Sequence, residues 1–222
     1  RSRAPAPSVE AGPDVDLCLM HLGRKDRLDE LEFHFPVAMT PGSERLHSGR
    51  LAAAFREHPS PALASGYADR IQQLGFAPLT GFLKGYVDLI FRSPNPNSEG
   101  TRRFYLVDYK TNFLGDSPVH YGPRRLQDAM SHGHYYLQYH LYTLALHRYL
   151  SSRMPGYRYE SDFGGVLYLF LRGMAPELGN MSGVFFEKPP LSRIQALSLV
   201  MEGSRQSKPP LDGSAPPLGV NP

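Results

Sequence analysis

Two stretches of this chain alternate apolar and polar residues with a period of two. In LDELEFHFP, residues 28–36, Leu31, Phe33 and Phe35 alternate with Glu30, Glu32 and His34, which predicts a strand with one dry face and one wet face. In GFLKGYVDLIF, residues 81–91, Leu83, Gly85, Val87, Leu89 and Phe91 fall on one side, and Phe82, Lys84, Tyr86, Asp88 and Ile90 on the other. SPNPNSEGT at 93–101 has the Pro, Asn, Ser and Gly content of a hairpin loop. It leads into a further strand, RFYLVDYKTN at 103–112. There Phe104, Leu106, Asp108 and Lys110 are in phase, with Tyr105, Val107 and Tyr109 out of phase. If the loop closes a hairpin, Asp88 reaches the spot where Asp108 and Lys110 emerge.

Helical spacing takes over elsewhere. Residues 43–76 predict helical stretches broken near Pro59 and Pro61, with Ser60 as a cap. A long helix is expected over 123–153, with Leu126, Met130, Leu137, Leu141, Leu144 and Ala145 as its inner stripe. GGVLYLFLRG at 164–173 is nearly unbroken apolar, as a strand buried on both faces is. GVFFE at 183–187 and a helix over 190–202 complete the pattern. The fold class expected is α/β, a mixed central sheet flanked by helices.

Length and composition refine the picture. A chain of 222 residues fits one domain with extensions, and 21 Gly plus 21 Pro imply many loops. We expect an irregular extension over 1–27, a domain over 28–203 and an extended tail over 204–222. The first residues lack both an initiator Met and the apolar run of a signal peptide, so a piece of a longer protein is expected. A single Cys, Cys18, rules out an internal disulfide and suits a reducing, cytoplasmic setting. No apolar run has membrane-spanning length, and a net charge of +3 is compatible with a polyanionic partner without requiring one.

Asp88, Asp108 and Lys110 carry the candidate chemistry. Mg²⁺ takes hard oxygen ligands and commonly uses one or two carboxylates, which Asp88 and Asp108 would supply, with the backbone carbonyl of Tyr109 as a third ligand. Such a cation stabilises charge on a phosphodiester under attack, and Lys110 can orient the attacking water and neutralise developing charge. The competing reading makes the same residues a solvated pair on a strand edge. A charge inside an otherwise apolar central strand, however, is costly unless paired or coordinating. Gln138 and Tyr142, four apart, share one helix face.

Four segments, GFLKGYVDLIF, FYLVDYKTNFLG, HYYLQYHLYTLALHRYL and FGGVLYLFLRGM, resemble in order and separation the RecB-like family of PD-(D/E)XK nucleases. That family includes the C-terminal nuclease domain of the exodeoxyribonuclease V beta subunit, and the resemblance covers about residues 28 to 203. It implies a restriction-endonuclease-like fold, with Asp88 as the acid of the G-x-x-D step, Asp108 and Lys110 as the D-x-K pair, and the Tyr109 carbonyl beside the metal. Gln138 and Tyr142 match the Q-x-x-x-Y element, linked in the family to DNA or to positioning of the site. The resemblance further implies Mg²⁺, with Mn²⁺ as an alternative. It implies unwound single-stranded DNA delivered by a helicase, partner subunits like RecC and RecD, and a role in double-strand-break repair and recombination.

The family's site also includes a metal-binding His on a helix upstream of the first strand. Nothing before Leu28 resembles that segment, and His21 in LCLMHLGRKD does not match it. A metal site lacking this ligand is expected if the chain begins after that helix.

Secondary candidates are Lys84, Arg124, Arg125, Arg102 and Arg103 as phosphate contacts, Tyr135, Tyr136 and Tyr139 as base-stacking or core residues, and the His132/His134 pair, better suited to a helix start than to a metal. No G-x-x-x-x-G-K-[ST] sequence is present, so no P-loop ATP site is expected. The rival function is a non-catalytic DNA-binding or subunit-docking module that keeps the nuclease fold.

Overall fold

The computed structural model describes Leu19 and residues 22–204, apart from 98 and 179–181. Cys18, His21, most of the expected extension and all of the expected tail after 204 lie outside the described residues. A turn of 3-10 helix at Arg24–Asp26 precedes strand β1, Arg27–Val37. Helices α1, Ser48–Glu57, and α2, Tyr67–Gln72, follow, then the hairpin of β2, Gly81–Pro94, and β3, Arg102–Lys110. Helices α3, Pro123–His132, α4, Tyr135–Arg153, and the single turn α5, Tyr159–Asp162, lead to β4, Phe163–Phe170. Strand β5, Val184–Glu187, and helix α6, Leu191–Glu202, close the fold.

The five strands form one mixed sheet in the order β1-β2-β3-β4-β5. Neighbours are antiparallel except β3 and β4, which run parallel across the crossover made by α3, α4 and α5. The expected α/β fold, a restriction-endonuclease-like mixed sheet with flanking helices, is the one observed.

The sheet separates two cores. On one face Phe35, Val87, Ile90, Leu106, Val166 and Tyr168 pack with helical residues such as Leu51, Phe55, Tyr139, Leu144 and Ile194. On the other, Leu89, Phe91, Tyr105, Val107, Leu167 and Leu169 form a smaller cluster with Leu19, Leu22, Val184 and Phe186 beside it. β4 is buried at every position, as its unbroken apolar run predicts. Gly165 has φ +139, and a Cβ there would lie 2.7 Å from the Phe186 ring, so the strand tolerates no larger residue at that point.

Two expectations need correction. Strict alternation puts Val87, Leu89 and Phe91 together, yet Val87 and Ile90 belong to the larger core, and Leu89 and Phe91 to the smaller. The phase of β2 therefore slips between Val87 and Leu89. The opposing strand is irregular at the same level, where Glu30 has φ +53 between the pairs Asp29↔Leu89 and Leu31↔Val87. Second, the helix expected over 123–153 is two helices. The break falls at Gly133 and His134, the latter left-handed with φ +51. Both pieces keep the apolar spacing, so periodicity alone does not reveal the pivot.

Candidate active site

β2 and β3 stop pairing at Leu89↔Val107, and the residues just beyond, Asp88 on one strand and Asp108–Lys110 on the other, lie where the two strands part. The gap is bridged by a side chain. The backbone N–H of Tyr109 donates to Asp88 Oδ2 at 2.8 Å. Asp108, whose side chain is 6% exposed, meets the Lys110 ammonium at 2.5 Å. Their positions two apart on one strand put both on the helical face, where Phe104 and Leu106 also point.

α4 supplies the rest. Lys110 Nζ donates to Gln138 Oε1 at 3.3 Å, and Gln138 Nε2 donates to the Tyr142 hydroxyl at 2.8 Å, so the i, i+4 pair acts as a single arm laid over the lysine. Gln138 Oε1 also accepts from the Tyr168 hydroxyl at 2.9 Å. The ammonium lies 4.1 Å from the centre of the Tyr135 ring and 5.2 Å from that of Tyr168, within cation–π range. Tyr135 and Tyr168 thus join the site. The sequence offered Tyr135 only as a base-stacking or core residue and offered no signal at all for Tyr168, which sits in the middle of the buried β4 run.

Electrostatics mark the cluster as strained in charge. Burial raises the Asp108 carboxyl above the usual carboxylate range. Lys110 opposes this by hydrogen bonding and charge, and the nearby negative charge of Asp88 adds to the rise. The Tyr142 phenol is pushed up to about 12, by burial first and then by the charge of Asp108.

A divalent cation fits this donor set. Asp108 Oδ2 is buried against the Lys110 ammonium, and Asp88 reaches from the neighbouring strand to the backbone beside it, where the strands part. Among the described residues no group of three or more His, Cys, Asp or Glu side chains is placed to hold a metal. The hard oxygens available are therefore two carboxylates and backbone carbonyls, a set suited to Mg²⁺ with retained water rather than to a nitrogen- or sulfur-rich metal.

Other expected residues lie elsewhere. Lys84 makes no bond to the cluster among the described residues; it pairs with Glu32 at 2.8 Å at the rim of a hollow that Phe33 and Gly85 also line. Arg124 and Arg125 are exposed on the first turn of α3, away from any bond to the cluster among the described residues. Arg102 pairs with Asp26 at 2.6 Å, and Arg103 is buried, its Nε donating to the Ser161 carbonyl. Tyr136 and Tyr139 are fully buried, which settles them as core residues. His132 bonds the carbonyl of Asp128 at 2.7 Å while His134 lies against the Tyr67 ring, so the two do not converge.

No protein-family model matches the chain. Individual relatives do. The RecBCD enzyme subunit RecB of Mycobacterium tuberculosis is 38% identical over 219 residues, spanning 92% of this chain and 19% of the relative. The RecB subunit of Escherichia coli is 37% identical over 198 residues, spanning 89% of this chain and 15% of the relative. That of Haemophilus influenzae is 38% identical over 184 residues, spanning 83% and 13%. The chain thus corresponds to less than a fifth of the length of each of these relatives. With matches of this extent to several RecB subunits, on a sheet of the expected kind, the chain belongs to the RecB family.

Proposed function

We propose that the chain is a metal-dependent deoxyribonuclease domain of a RecBCD-type helicase–nuclease, acting on unwound DNA during double-strand-break repair and recombination. The observation that carries this reading is the convergence of Asp88, Asp108 and Lys110 where β2 and β3 separate. Membership in the RecB family supports it, as does the resemblance to that family's C-terminal nuclease domain.

Asp88, Asp108 and the Tyr109 carbonyl would hold Mg²⁺ or Mn²⁺. A cation bound there supplies positive charge for a phosphodiester oxygen and lowers the pKa of a bound water. Lys110, fixed between Asp108 and Gln138, holds its ammonium where it can orient that water and offset charge developing on the phosphate. Gln138 and Tyr142 keep the lysine from swinging into solvent. Subunits like RecC and RecD would be its partners, and a cytoplasmic setting follows from that assembly. No helix among the described residues is long and apolar enough to cross a membrane.

The test is cleavage of a labelled single strand by the full-length protein with Mg²⁺, set beside Asp108→Ala. We expect the variant to lose activity, and equal activity in the two would end the assignment. The alternative, a nuclease-fold module that binds DNA or docks a subunit without cutting, is disfavoured by the intact set of two acids and a lysine. It would predict no heat on titrating Mg²⁺ or Mn²⁺ into the protein.

A further inference from the structure

We propose that the hollow beside the acidic cluster is a nucleobase pocket, which takes an unstacked base next to the phosphate to be cut and so requires a single strand at that point. The proposal rests on the nuclease reading and adds to it a subsite for one base of the unwound strand and the residues that form it. The hollow, a cavity of about 330 Å³, lies between the Leu83–Gly85 stretch of β2 and the first turns of α4. That volume is at the small end of the range for ligand sites.

Its walls suit a flat, weakly polar ring. Phe33, Leu83 and Leu141 are apolar and half-buried, and the Tyr135 and Tyr142 rings stand with them. Gly85 helps make the room. A Cβ at that position would lie 2.5 Å from the Phe33 ring, so any larger residue would push that ring out of its place on the wall. Base–aromatic stacking tolerates any sequence, because every base has a π-face.

The hollow and the cluster share a wall. Tyr135 and Gln138 both line the hollow and contact the Lys110 ammonium, and Tyr142 lines it while bonded to Gln138. A nucleotide with its phosphate at Lys110 therefore has its base beside this opening. Polar capacity remains there as well. Gln138 Nε2 carries two protons and gives one to Tyr142, and the Tyr142 hydroxyl, used as an acceptor, keeps its own proton for a base edge. A base within a duplex is paired and stacked, and cannot enter without first being unstacked.

The experiment measures binding and cutting separately on the full-length protein. A mixed-sequence single-stranded oligonucleotide is compared with copies carrying one abasic nucleotide at successive positions, in the wild type, in Leu141→Trp and in Leu83→Trp. The two variants fill the hollow from different elements, so misfolding of one does not remove the test. We expect one abasic position to weaken binding roughly 5- to 150-fold, the range for losing one base–aromatic stack. Each filled variant should weaken the intact strand similarly and the abasic strand no further. Equal binding of intact and abasic strands at every position, or filled variants that bind the intact strand as wild type does, would overturn the pocket. Base-dependent binding alongside wild-type cleavage by Asp108→Ala would uphold the pocket and overturn the nuclease reading.

Discussion

The Asp88 carboxylate accepts the backbone N–H of Tyr109 at 2.8 Å, tying one strand to the next just past the last ladder pair between them. The contact gives Asp88 a structural duty separate from its charge. Asp88→Asn keeps an acceptor for Tyr109, whereas Asp88→Ala removes it. In a cleavage assay with Mg²⁺ both should lose activity on the order of a hundredfold or more. In urea denaturation only the alanine variant should lose about 1 kcal/mol of stability.

Tyr135 and Tyr168 hold Lys110 by different means, and substitution should separate them. The Tyr135 ring faces the ammonium, while the Tyr168 hydroxyl donates to the amide oxygen that the ammonium also uses. Tyr135→Phe should therefore retain activity and Tyr135→Leu should not. Tyr168→Phe should lower kcat several-fold with little change in KM. The same response to Phe at both positions would argue that they act through packing alone.

The pH dependence of stability should be steep on the acid side because of His140. This imidazole is fully buried: its Nδ1–H donates to the Tyr136 carbonyl at 2.6 Å, and its Nε2 accepts from Arg193 at 2.9 Å. Burial, then the charge of Arg193, holds its pKa well below the ordinary value. The unfolded chain takes up a proton near pH 6.5 that the native chain refuses, so stability is present above that pH and lost as pH falls. From pH 6.5 to 5 the loss from this one group is on the order of 1 to 2 kcal/mol. Urea denaturation of His140→Gln across that window should be flatter by this amount.

Arg193 is completely buried and anchors α6 to the rest of the protein. Its guanidinium lies 3.6 Å from Glu187, and its Nε donates to the carbonyl of His58 at 2.7 Å. Glu187 in turn accepts from Tyr139 and, at 2.7 Å, from Ser60. Removing the cation alone strands a buried carboxylate, so Arg193→Met should cost about 3–5 kcal/mol. Arg193→Met with Glu187→Gln should recover part of that loss, as read by thermal or urea melting.

Much of this was legible from the chain. Period-two alternation located β1, β2 and β3, and in β3 it put Asp108 in phase with Lys110 because no irregularity intervenes there. Four-residue spacing paired Gln138 with Tyr142, which is a property of any helix. What alternation missed arises from local backbone exceptions. The slip around Asp88 and the left-handed His134 each change direction without changing hydrophobicity. Tyr168 was hidden for another reason. In a strand buried on both faces every residue reads as core, and only the packing of α4 onto β4 reveals that one hydroxyl serves the lysine. Charge along a sequence also does not say which arginines already have a partner, as Arg102 has in Asp26 and Arg103 in the Ser161 carbonyl.

The pivot at Gly133 and His134 fixes the rotational setting of everything after it. Each residue of an α-helix advances the side-chain direction by about 100°. A one-residue insertion between His134 and Gln138 would spare every acid and the lysine, yet it would spin the amide a quarter-turn or more away from the ammonium. The length of that short joint is thus as much a determinant of the site as the identity of its charged groups.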